Sequence, residues 1–205
     1  TGAIDKGKEI HDEIVTRGLL EDDIVLGTAL VDMYAKCGFL AKAQQVLEEL
    51  PERDVVTWSA LIVGYAEHGY SEKAIEYFER MQLEGISSDG ATLVSILKIC
   101  GTLGDLNKGQ EIHFELKRQG LDNDIAICSA LVGMYIQCGQ LKKAREIFDR
   151  FPIRNTITWN ALISGYSHHG FGDEALKCFT QMQDEGIPPD IVTYICSLKA
   201  CASIG

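Results

Sequence analysis

Two residue pairs have the spacing of half a catalytic zinc motif. His11 and Glu13 are separated by one residue, as are His113 and Glu115. In zinc deaminases such a His binds the metal, such a Glu transfers protons, and a Pro-Cys-x-x-Cys segment supplies the remaining ligands. The sequence lacks that segment, and both pairs fall at the same place in an internal repeat. We therefore expect these residues to have a structural role on a second helix of the repeat, and we expect no catalytic residue, metal or cofactor in this chain.

The seven cysteines are the other candidate metal ligands. They include no Cys-x-x-Cys pair, and an odd number argues against a disulfide framework. Cys196 and Cys201 are close enough in sequence to leave metal binding open, but Cys100 aligns with Cys201 one long repeat earlier, which favours packing. We expect the cysteines to be small, buried, reduced residues.

A different kind of chemistry is suggested by one substitution inside a repeated segment. The sequence TWSALIVGYAEHG begins at Thr57, and TWNALISGYSHHG begins at Thr158. Ser59 in the first segment becomes Asn160 in the second beside an unchanged tryptophan. A hydroxyl and a carboxamide offer different hydrogen-bond donors and acceptors, so the two segments would select different polar partners. Taken alone, the change is better explained by two solvated polar side chains whose difference has no consequence.

The repetition extends through the whole chain. ALVDMYAKCG at 29–38 returns as ALVGMYIQCG at 130–139, so a unit of about 101 residues occurs twice. Within it, Asp or Asn residues punctuate shorter units of about 31 or 35 residues. The complete short repeats are 24–54, 55–89, 90–124, 125–155 and 156–190, with partial repeats at 1–23 and 191–205.

Each short repeat has the pattern of two helices. Trp58, Leu61, Ile62 and Tyr65 follow the i, i+3, i+4, i+7 spacing of a helical stripe, and Gly69 suits the residue just after the helix. A second stripe follows. A lone helical hairpin cannot bury both stripes, so the sequence predicts an all-α α-solenoid of stacked helix-turn-helix repeats. The first helices are predicted at about 25–37, 56–68, 91–103, 126–138 and 157–169.

The net charge of −11 disfavours a generic nucleic-acid binder. However, the charged residues in the predicted first helices cancel one another; they are Asp32, Lys36, Glu67 and Lys98. The excess of acidic residues therefore lies in the second helices and in the segments that connect the helices. No apolar run approaches the ~20 residues of a membrane span. The opening TGAIDKGKEIH has no signal-peptide pattern and reads as the middle of a longer protein.

These repeats resemble pentatricopeptide repeats, and TWNALISGY, ALVDMYAKCG, GKEIH and EGIPPD carry the resemblance. The alternation of lengths resembles the P-L-S subclass of land-plant organelles. In that scheme 24–54 and 125–155 resemble S repeats, 55–89 and 156–190 resemble P repeats, and 90–124 resembles an L repeat. The segments 1–23 and 191–205 resemble partial L repeats. The resemblance implies one continuous solenoid wound as a right-handed superhelix.

The resemblance also implies binding of single-stranded RNA, with one base read by each repeat. In this family the fifth and last residues of a repeat select the base together. The corresponding pairs here are Thr28 with Asp54, Ser59 with Asp89, Val94 with Asp124, Ser129 with Asn155, and Asn160 with Asp190. The family's pairing rules then predict G, G, no preference, A and U in turn, which is the word 5′-GGNAU-3′. The last pair, Asn160 with Asp190, is expected to tolerate C as well as U.

Two further sets of residues follow from the resemblance. The second residue of each repeat is expected to pack against the bases; these residues are Val25, Val56, Ala91, Ala126 and Ile157. The two alanines depart from the bulky aliphatic side chain usual at that position. Only Lys36 fits the family's phosphate-contacting lysine, so we expect weak binding with a shallow salt dependence.

Two classes of function remain open. The first is RNA recognition as part of an organellar C-to-U editing factor, in the mitochondrion or chloroplast. In many relatives a deaminase domain follows the repeats. The second is a protein-binding helical scaffold, which the acidic balance favours. The L repeat 90–124 is expected to dock editing accessory proteins, and we expect no membrane partner. Bare apolar ends would allow weak end-to-end self-association.

Overall fold

The computed structural model describes residues 2–20, 23–121, 124–151 and 154–204. These ranges contain twelve α-helices and no β-strand. The helices are α1 Gly2–Thr16, α2 Ile24–Lys36, α3 Leu40–Glu49, α4 Val55–Glu67, α5 Ser71–Leu83, α6 Gly90–Leu103, α7 Leu106–Arg118, α8 Ile125–Gln137, α9 Leu141–Arg150, α10 Thr156–His168, α11 Gly172–Asp184 and α12 Ile191–Ile204. None of these described helices has both the length and the apolar character needed to cross a bilayer.

Every complete repeat consists of two of these helices, as the apolar periodicity predicts. Each repeat's first helix begins at the first residue of that repeat, one position earlier than predicted. The shift arises because the polar residue that closes the preceding repeat caps the helix, so helical geometry starts immediately after it. The partial repeats follow the same plan: α1 is the second helix of 1–23, and α12 is the first helix of 191–205.

The helices group into two compact units, Thr1–Ile96 and Leu97–Gly205. In the first unit, α2 packs against α3 and α4, and α4 packs against α5. In the second unit, α8 packs against α7, α9 and α10, while α10 also packs against α11 and α12. Within each unit, therefore, the first helix of one repeat contacts the first helix of the next, as stacked hairpins require.

The tryptophan shared by the two repeated segments belongs to the core. Trp58 and Trp159 are fully buried. The guanidinium of Arg80 lies 5.6 Å from the ring centre of Trp58, and that of Arg154 lies 5.9 Å from the ring centre of Trp159. A buried tryptophan removes a large apolar area from water, so this residue stays constant while its neighbour at the fifth position varies.

Two kinds of glycine shape the hairpins. Gly69 and Gly170 follow the ends of α4 and α10 with φ of +80° and +78°, a conformation that glycine adopts without strain. Gly64 instead permits a close approach of α4 to α2, because a Cβ at this position would lie 2.6 Å from the Cβ of Ala35. The predicted role of Gly69 as the residue after the helix is confirmed.

Candidate nucleic-acid interface

The closing residue of each repeat caps the first helix of the next repeat. Asp54 Oδ1 accepts a hydrogen bond from the Thr57 amide at 2.9 Å, and Asn155 Oδ1 accepts one from the Thr158 amide at 3.0 Å. The other three closing residues accept through the same atom, Asp89 from Thr92, Asp124 from Ala126 and Ile127, and Asp190 from Thr193. The first of the two polar atoms on every closing side chain is thus committed to the helix terminus.

These caps also favour ionised carboxylates. Burial opposes ionisation of Asp54, but hydrogen bonds from the Thr57 hydroxyl and from backbone amides outweigh it, so the pKa of Asp54 is lowered. Hydrogen bonds from the Thr193 amide and from the Asn160 side chain lower the pKa of Asp190. Both groups therefore carry a negative charge at neutral pH, at a helix end where the macrodipole favours it.

The second polar atom of the closing residue distinguishes the repeats. An aspartate held through Oδ1 keeps a second oxygen, which can only accept hydrogen bonds. Asn155 keeps its amide nitrogen, which can only donate, because the Thr158 amide must be met by the oxygen. The cap thus assigns the carboxamide orientation, and repeat 125–155 differs from the other four repeats by a donor in place of an acceptor.

The fifth residue of every repeat lies on the first helix of that repeat, and most of these side chains are partly exposed to solvent. Thr28, Val94, Ser129 and Asn160 are half-buried, whereas Ser59 is buried at 7% exposure. Ser59 lies on a groove of about 240 Å³ between α2 and α4, whose lining includes Val56 and Lys36.

The structure links the fifth and closing residues of three repeats. Asn160 Nδ2 donates directly to Asp190 Oδ1 at 2.9 Å. Thr28 connects to Asp54 through the hydroxyl of Thr57, with 2.7 Å in each of the two steps. Ser59 and Asp89 are joined in the same way by the hydroxyl of Thr92.

The side chains of Ser129 and Asn155 show no such link. The Ser129 hydroxyl donates to the Ile125 carbonyl of its own helix at 2.7 Å, while Asn155 Oδ1 accepts from the Thr158 amide and caps α10. Val94 has an aliphatic side chain with no hydrogen-bonding atom to offer Asp124. The structure therefore brings together three of the five predicted pairs.

Three functional candidates were missed by the sequence reasoning. They are the buried threonines Thr57, Thr92 and Thr193, each the third residue of its repeat. The sequence does repeat this threonine, which stands two residues before the fifth position in VVTWS, GATLV, TITWN and IVTYI. The spacing alone did not reveal that its hydroxyl reaches the preceding repeat.

The second residues are open to solvent. Val25, Val56 and Ile157 are 72%, 53% and 69% exposed, and Ala91 and Ala126 are also exposed. Such aliphatic side chains offer apolar surface to a flat ligand without a competing partner. Each first helix therefore carries an exposed apolar second residue three positions before its fifth residue, which is polar in four of the five repeats.

Lys36, the predicted phosphate contact, is exposed on the last turn of α2. Its Nζ donates to Asp32 Oδ2 at 2.7 Å, and this hydrogen bond together with the attraction to the Asp32 charge raises the pKa of Lys36. An exposed pair of this kind contributes little free energy, so Lys36 can exchange partners, but its charge is locally offset.

The histidines of the two His-x-Glu pairs are buried, whereas Glu13 is exposed and Glu115 is half-buried. His11 Nδ1 lies 3.0 Å from the Tyr34 hydroxyl, and His113 Nδ1 lies 2.9 Å from the Tyr135 hydroxyl. Burial, and then the charge of Lys42, lower the pKa of His11. No group of three metal-ligating side chains occurs among the described residues.

The expectation that the cysteines are buried is wrong for two of them. Cys37 caps the end of α2 and is exposed, and Cys201 is exposed in α12. Cys138 is half-buried, and the other four, Cys100, Cys128, Cys178 and Cys196, are buried. Burial raises the pKa of Cys100 to about 12. Cys37 follows the last turn of α2, past the apolar stripe that this helix buries, so its small side chain is left in solvent.

Known families match these same segments. The family described as PPR repeat matches residues 28–55, 56–86 and 126–155, and the one described as PPR repeat family matches residues 154–203. The match over 154–203 covers the whole repeat 156–190 and most of the partial repeat that follows it. The chain belongs to the pentatricopeptide repeat (PPR) family.

Relatives in Arabidopsis thaliana match nearly the whole chain. The pentatricopeptide repeat-containing protein At2g33680 is 40% identical over 202 residues, which is 98% of this chain and 28% of that protein. The chloroplastic protein CRR2 is 40% identical over 202 residues, covering 98% of this chain and 31% of that protein. The mitochondrial protein At3g02330 is 37% identical over 228 residues, covering 100% and 25%. The chain therefore spans less than a third of each of these relatives.

Solved structures show the same fold. PPR10 in complex with an 18-nt psaJ RNA element has a TM-score of 0.80 at 22% identity, covering 100% of this chain and 32% of that chain. The PPR domain of Arabidopsis thaliana protein-only RNase P 1, in complex with tRNA, has a TM-score of 0.69 at 13% identity, covering 87% and 98%. The predicted all-α helical-repeat solenoid fold is confirmed.

Proposed function

We propose that this chain binds single-stranded RNA sequence-specifically, one base per repeat, with the core 5′-GGNAU-3′. It serves as the target-recognition part of an organellar C-to-U RNA editing factor. The repeats bind in parallel with the RNA, so that 24–54 meets the first G and 156–190 meets the U.

The observation that carries this proposal is the capping of each first helix by the preceding closing residue. Guanine and uracil carry an N–H in the middle of the Watson–Crick edge, which needs an acceptor, whereas adenine and cytosine carry a ring nitrogen there, which needs a donor. Asp54, Asp89 and Asp190 keep a free acceptor, while Asn155 keeps a donor. The chemistry left by the cap therefore matches the keto bases and the one amino base of the predicted word.

The fifth and second residues supply the rest of the recognition. Ser129, like Thr28 and Ser59, offers a hydroxyl, while Asn160 offers a carboxamide whose position is fixed by Asp190. Val94 offers no polar atom, so the third base is unselected. The exposed aliphatic second residues provide surfaces for base packing, which adds affinity that every base can use.

The cellular setting is supported by the relatives. Similar proteins are named mitochondrial or chloroplastic, and the solved PPR10 structure contains RNA. The alternation of repeat lengths supports the P-L-S subclass and hence editing. The L repeat 90–124 docks accessory editing proteins, and the exposed apolar residues of α12, Ile191, Tyr194, Ile195 and Leu198, support weak end-to-end association.

Fluorescence anisotropy with short labelled RNAs tests this function. The 205-residue chain should bind an RNA containing GGNAU at least about tenfold more tightly than a shuffled RNA, since each good side-chain pair contributes about 1–3 kcal/mol of discrimination. The affinity should fall only modestly as salt rises, because Lys36 is the one predicted phosphate contact. Equal affinity for both RNAs would contradict the proposal and favour the protein-binding scaffold.

A further inference from the structure

Three buried hydroxyls lie between the fifth and closing residues of three repeats. Thr57, Thr92 and Thr193 are each 0% exposed, and each is the third residue of its repeat. Each hydroxyl lies within hydrogen-bonding distance of the closing aspartate and of the fifth residue of the preceding repeat. They cannot touch a ligand from a buried position, but they can fix the protons of the groups that do.

The direction of each hydrogen bond follows from counting protons. The Thr57 hydroxyl lies 2.7 Å from Asp54 Oδ1 and 2.7 Å from the Thr28 hydroxyl. An ionised carboxylate has no proton to donate, so Thr57 donates its single proton to Asp54. Thr28 must then donate its own proton to Thr57. The Thr28 hydroxyl is left with lone pairs only, and an incoming base meets it as an acceptor.

The same count applies in the next repeat. Thr92 donates to Asp89 at 2.7 Å, so the Ser59 hydroxyl donates to Thr92. Both repeats that are assigned to guanine thus present two acceptors. Guanine offers two adjacent donors on its Watson–Crick edge, the ring N–H and the exocyclic amine.

In the last complete repeat the threonine fixes a carboxamide instead. The Thr193 hydroxyl donates to Asn160 Oδ1 at 2.5 Å, while Asn160 Nδ2 donates to Asp190 at 2.9 Å. The atom that faces Asp190 must be the nitrogen, because the carboxylate only accepts. The remaining hydrogen of the Asn160 amide is therefore available as a donor, beside the second oxygen of Asp190.

The other two repeats lack this connection. The repeat that follows Asp124 has the apolar Ile127 at its third position. In the repeat after that, the Thr158 hydroxyl donates to the Asn155 backbone carbonyl at 2.9 Å, and the Ser129 hydroxyl donates to Ile125. The connection occurs in the repeats that have both a polar fifth residue and a closing aspartate. These are the repeats assigned to G, G and U.

We propose that the third-position threonines are positioning residues for base selection: each fixes the donor or acceptor character of the preceding repeat's fifth residue. Thr57 and Thr92 do so by linking that residue to the closing aspartate, and Thr193 does so by donating to the Asn160 carboxamide oxygen. This inference rests on the proposed RNA-binding function and adds a third, buried position to each base-reading pair. Without the Thr57 hydroxyl, Thr28 is free to rotate and donate. Adenine, which carries an acceptor in the middle of its edge, then becomes acceptable beside guanine.

The test uses Thr57→Val in the 205-residue chain, because valine keeps the shape of threonine and replaces its hydroxyl by a methyl group. Anisotropy titrations compare RNAs that carry G or A at the first position of the word. The wild-type protein should prefer G by about tenfold, and Thr57→Val should reduce this ratio to less than about threefold, mainly by binding A better. Thr57→Ser, which restores a hydroxyl, should recover the wild-type ratio.

Thr158→Val is the matched control. It removes a hydroxyl at the same repeat position, but this hydroxyl contacts only the Asn155 backbone, and the Asn155 side chain is held by the Thr158 amide. It should lower the melting temperature without changing the G:A ratio at the first base. If the Thr57 hydroxyl only stabilises the fold, Thr57→Val should weaken binding to both RNAs equally and leave the G:A ratio unchanged.

The outcomes separate the inference from the function beneath it. A wild-type protein that prefers G, together with a Thr57→Val protein that keeps the same ratio, would overturn the inference alone. A wild-type protein with no preference at this base would contradict the proposed function and the inference with it. Should Thr57→Val not fold, Thr92→Val tests the same chemistry at the second base, with the same loss of the G:A ratio expected.

Discussion

Asn160 and Asp190 are 30 residues apart in sequence, and their side chains are joined by a 2.9 Å hydrogen bond from Nδ2 to Oδ1. One residue lies near the start of a repeat and the other closes it. The hydrogen bond forms because the closing residue caps the next first helix, which packs beside the helix that carries Asn160. Helix stacking thus places two polar groups of one repeat together, with a defined donor and a defined acceptor.

The first prediction exchanges Asn160 for threonine. Asn160→Thr would give the last complete repeat the same three groups as the first one, with a hydroxyl at position 160 beside Thr193 and Asp190. The preference at the fifth base of the word should change from U to G, by about tenfold in relative affinity. Competition titrations with RNAs that differ at this base measure it. A protein that still prefers U would show that the fifth residue does not select the base.

The second prediction exchanges the acceptor of a closing residue for a donor. In Asp54→Asn the oxygen still caps α4, since asparagine is as good a cap as aspartate, so the free energy of unfolding should change by less than about 1 kcal/mol. The outward group becomes an amide nitrogen, and the first base should change from G toward A. Binding assays with the four first-base variants measure the change.

Asp105→Asn is the control for this substitution. Asp105 caps α7 through the Lys108 amide at 3.1 Å, but it closes no repeat. The same chemical change there should leave every base preference as it was. If Asp105→Asn shifts a base preference, or if Asp54→Asn shifts none, the closing residue does not select the base through its outward group.

The third prediction concerns the packing that sets the spacing between repeats. Gly64→Ala should lower the free energy of unfolding by about 1–2 kcal/mol, because the added methyl group would lie 2.6 Å from the Cβ of Ala35. Gly133→Ala is the control, since a Cβ there meets nothing within 4 Å. It should raise the free energy of unfolding by about 0.5–1 kcal/mol through helix propensity alone. Urea denaturation measures both values.

The fourth prediction follows from the lowered pKa of His11. The unfolded chain takes up a proton on this residue as the pH falls below its ordinary pKa of 6.5, whereas the folded protein takes it up only at lower pH. The stability that neutral His11 contributes is therefore complete above 6.5 and is lost as the pH falls toward the lowered value. The urea midpoint should drop between about pH 7.5 and 5.5.

Two variants separate His11 from the rest of the titration. His11→Gln should show a smaller drop in the urea midpoint over the same pH range than the wild-type protein. His168→Gln, which changes an exposed histidine at the end of α10, should show the wild-type drop. If His11→Gln loses as much stability as the wild-type protein, another group is responsible for the acid sensitivity.

The fold was predictable because its determinants are local. A stripe such as Trp58, Leu61 and Ile62 fixes a helix face, and Gly69 fixes its end. The burial of Trp58, beside the variable position that holds Ser59, follows from the same stripe. The helix starts were misplaced by one residue because capping depends on a side-chain conformation that periodicity does not report.

The chemistry of the site was less predictable, because it depends on contacts between repeats. Nothing in the spacing shows that Thr57 meets Thr28, 29 residues earlier, since that contact requires the stacking of α4 on α2. The exposure of Cys37 was missed for a related reason: an apolar residue at a helix end is buried only when a neighbouring element covers it. Repetition predicts which residues are equivalent, and the tertiary contacts decide what they do.

The most direct measurement of base reading is a substitution series across the five-base word. Each position of GGNAU is replaced in turn by the other three bases, and the dissociation constant of the 205-residue chain is measured for every RNA. Changes at the first, second and fourth positions, and replacement of U by a purine at the fifth, should each weaken binding by about five- to a hundredfold. Changes at the third position, opposite Val94, should alter it by less than about twofold. A flat series at all five positions, or discrimination concentrated at the third, would contradict the account.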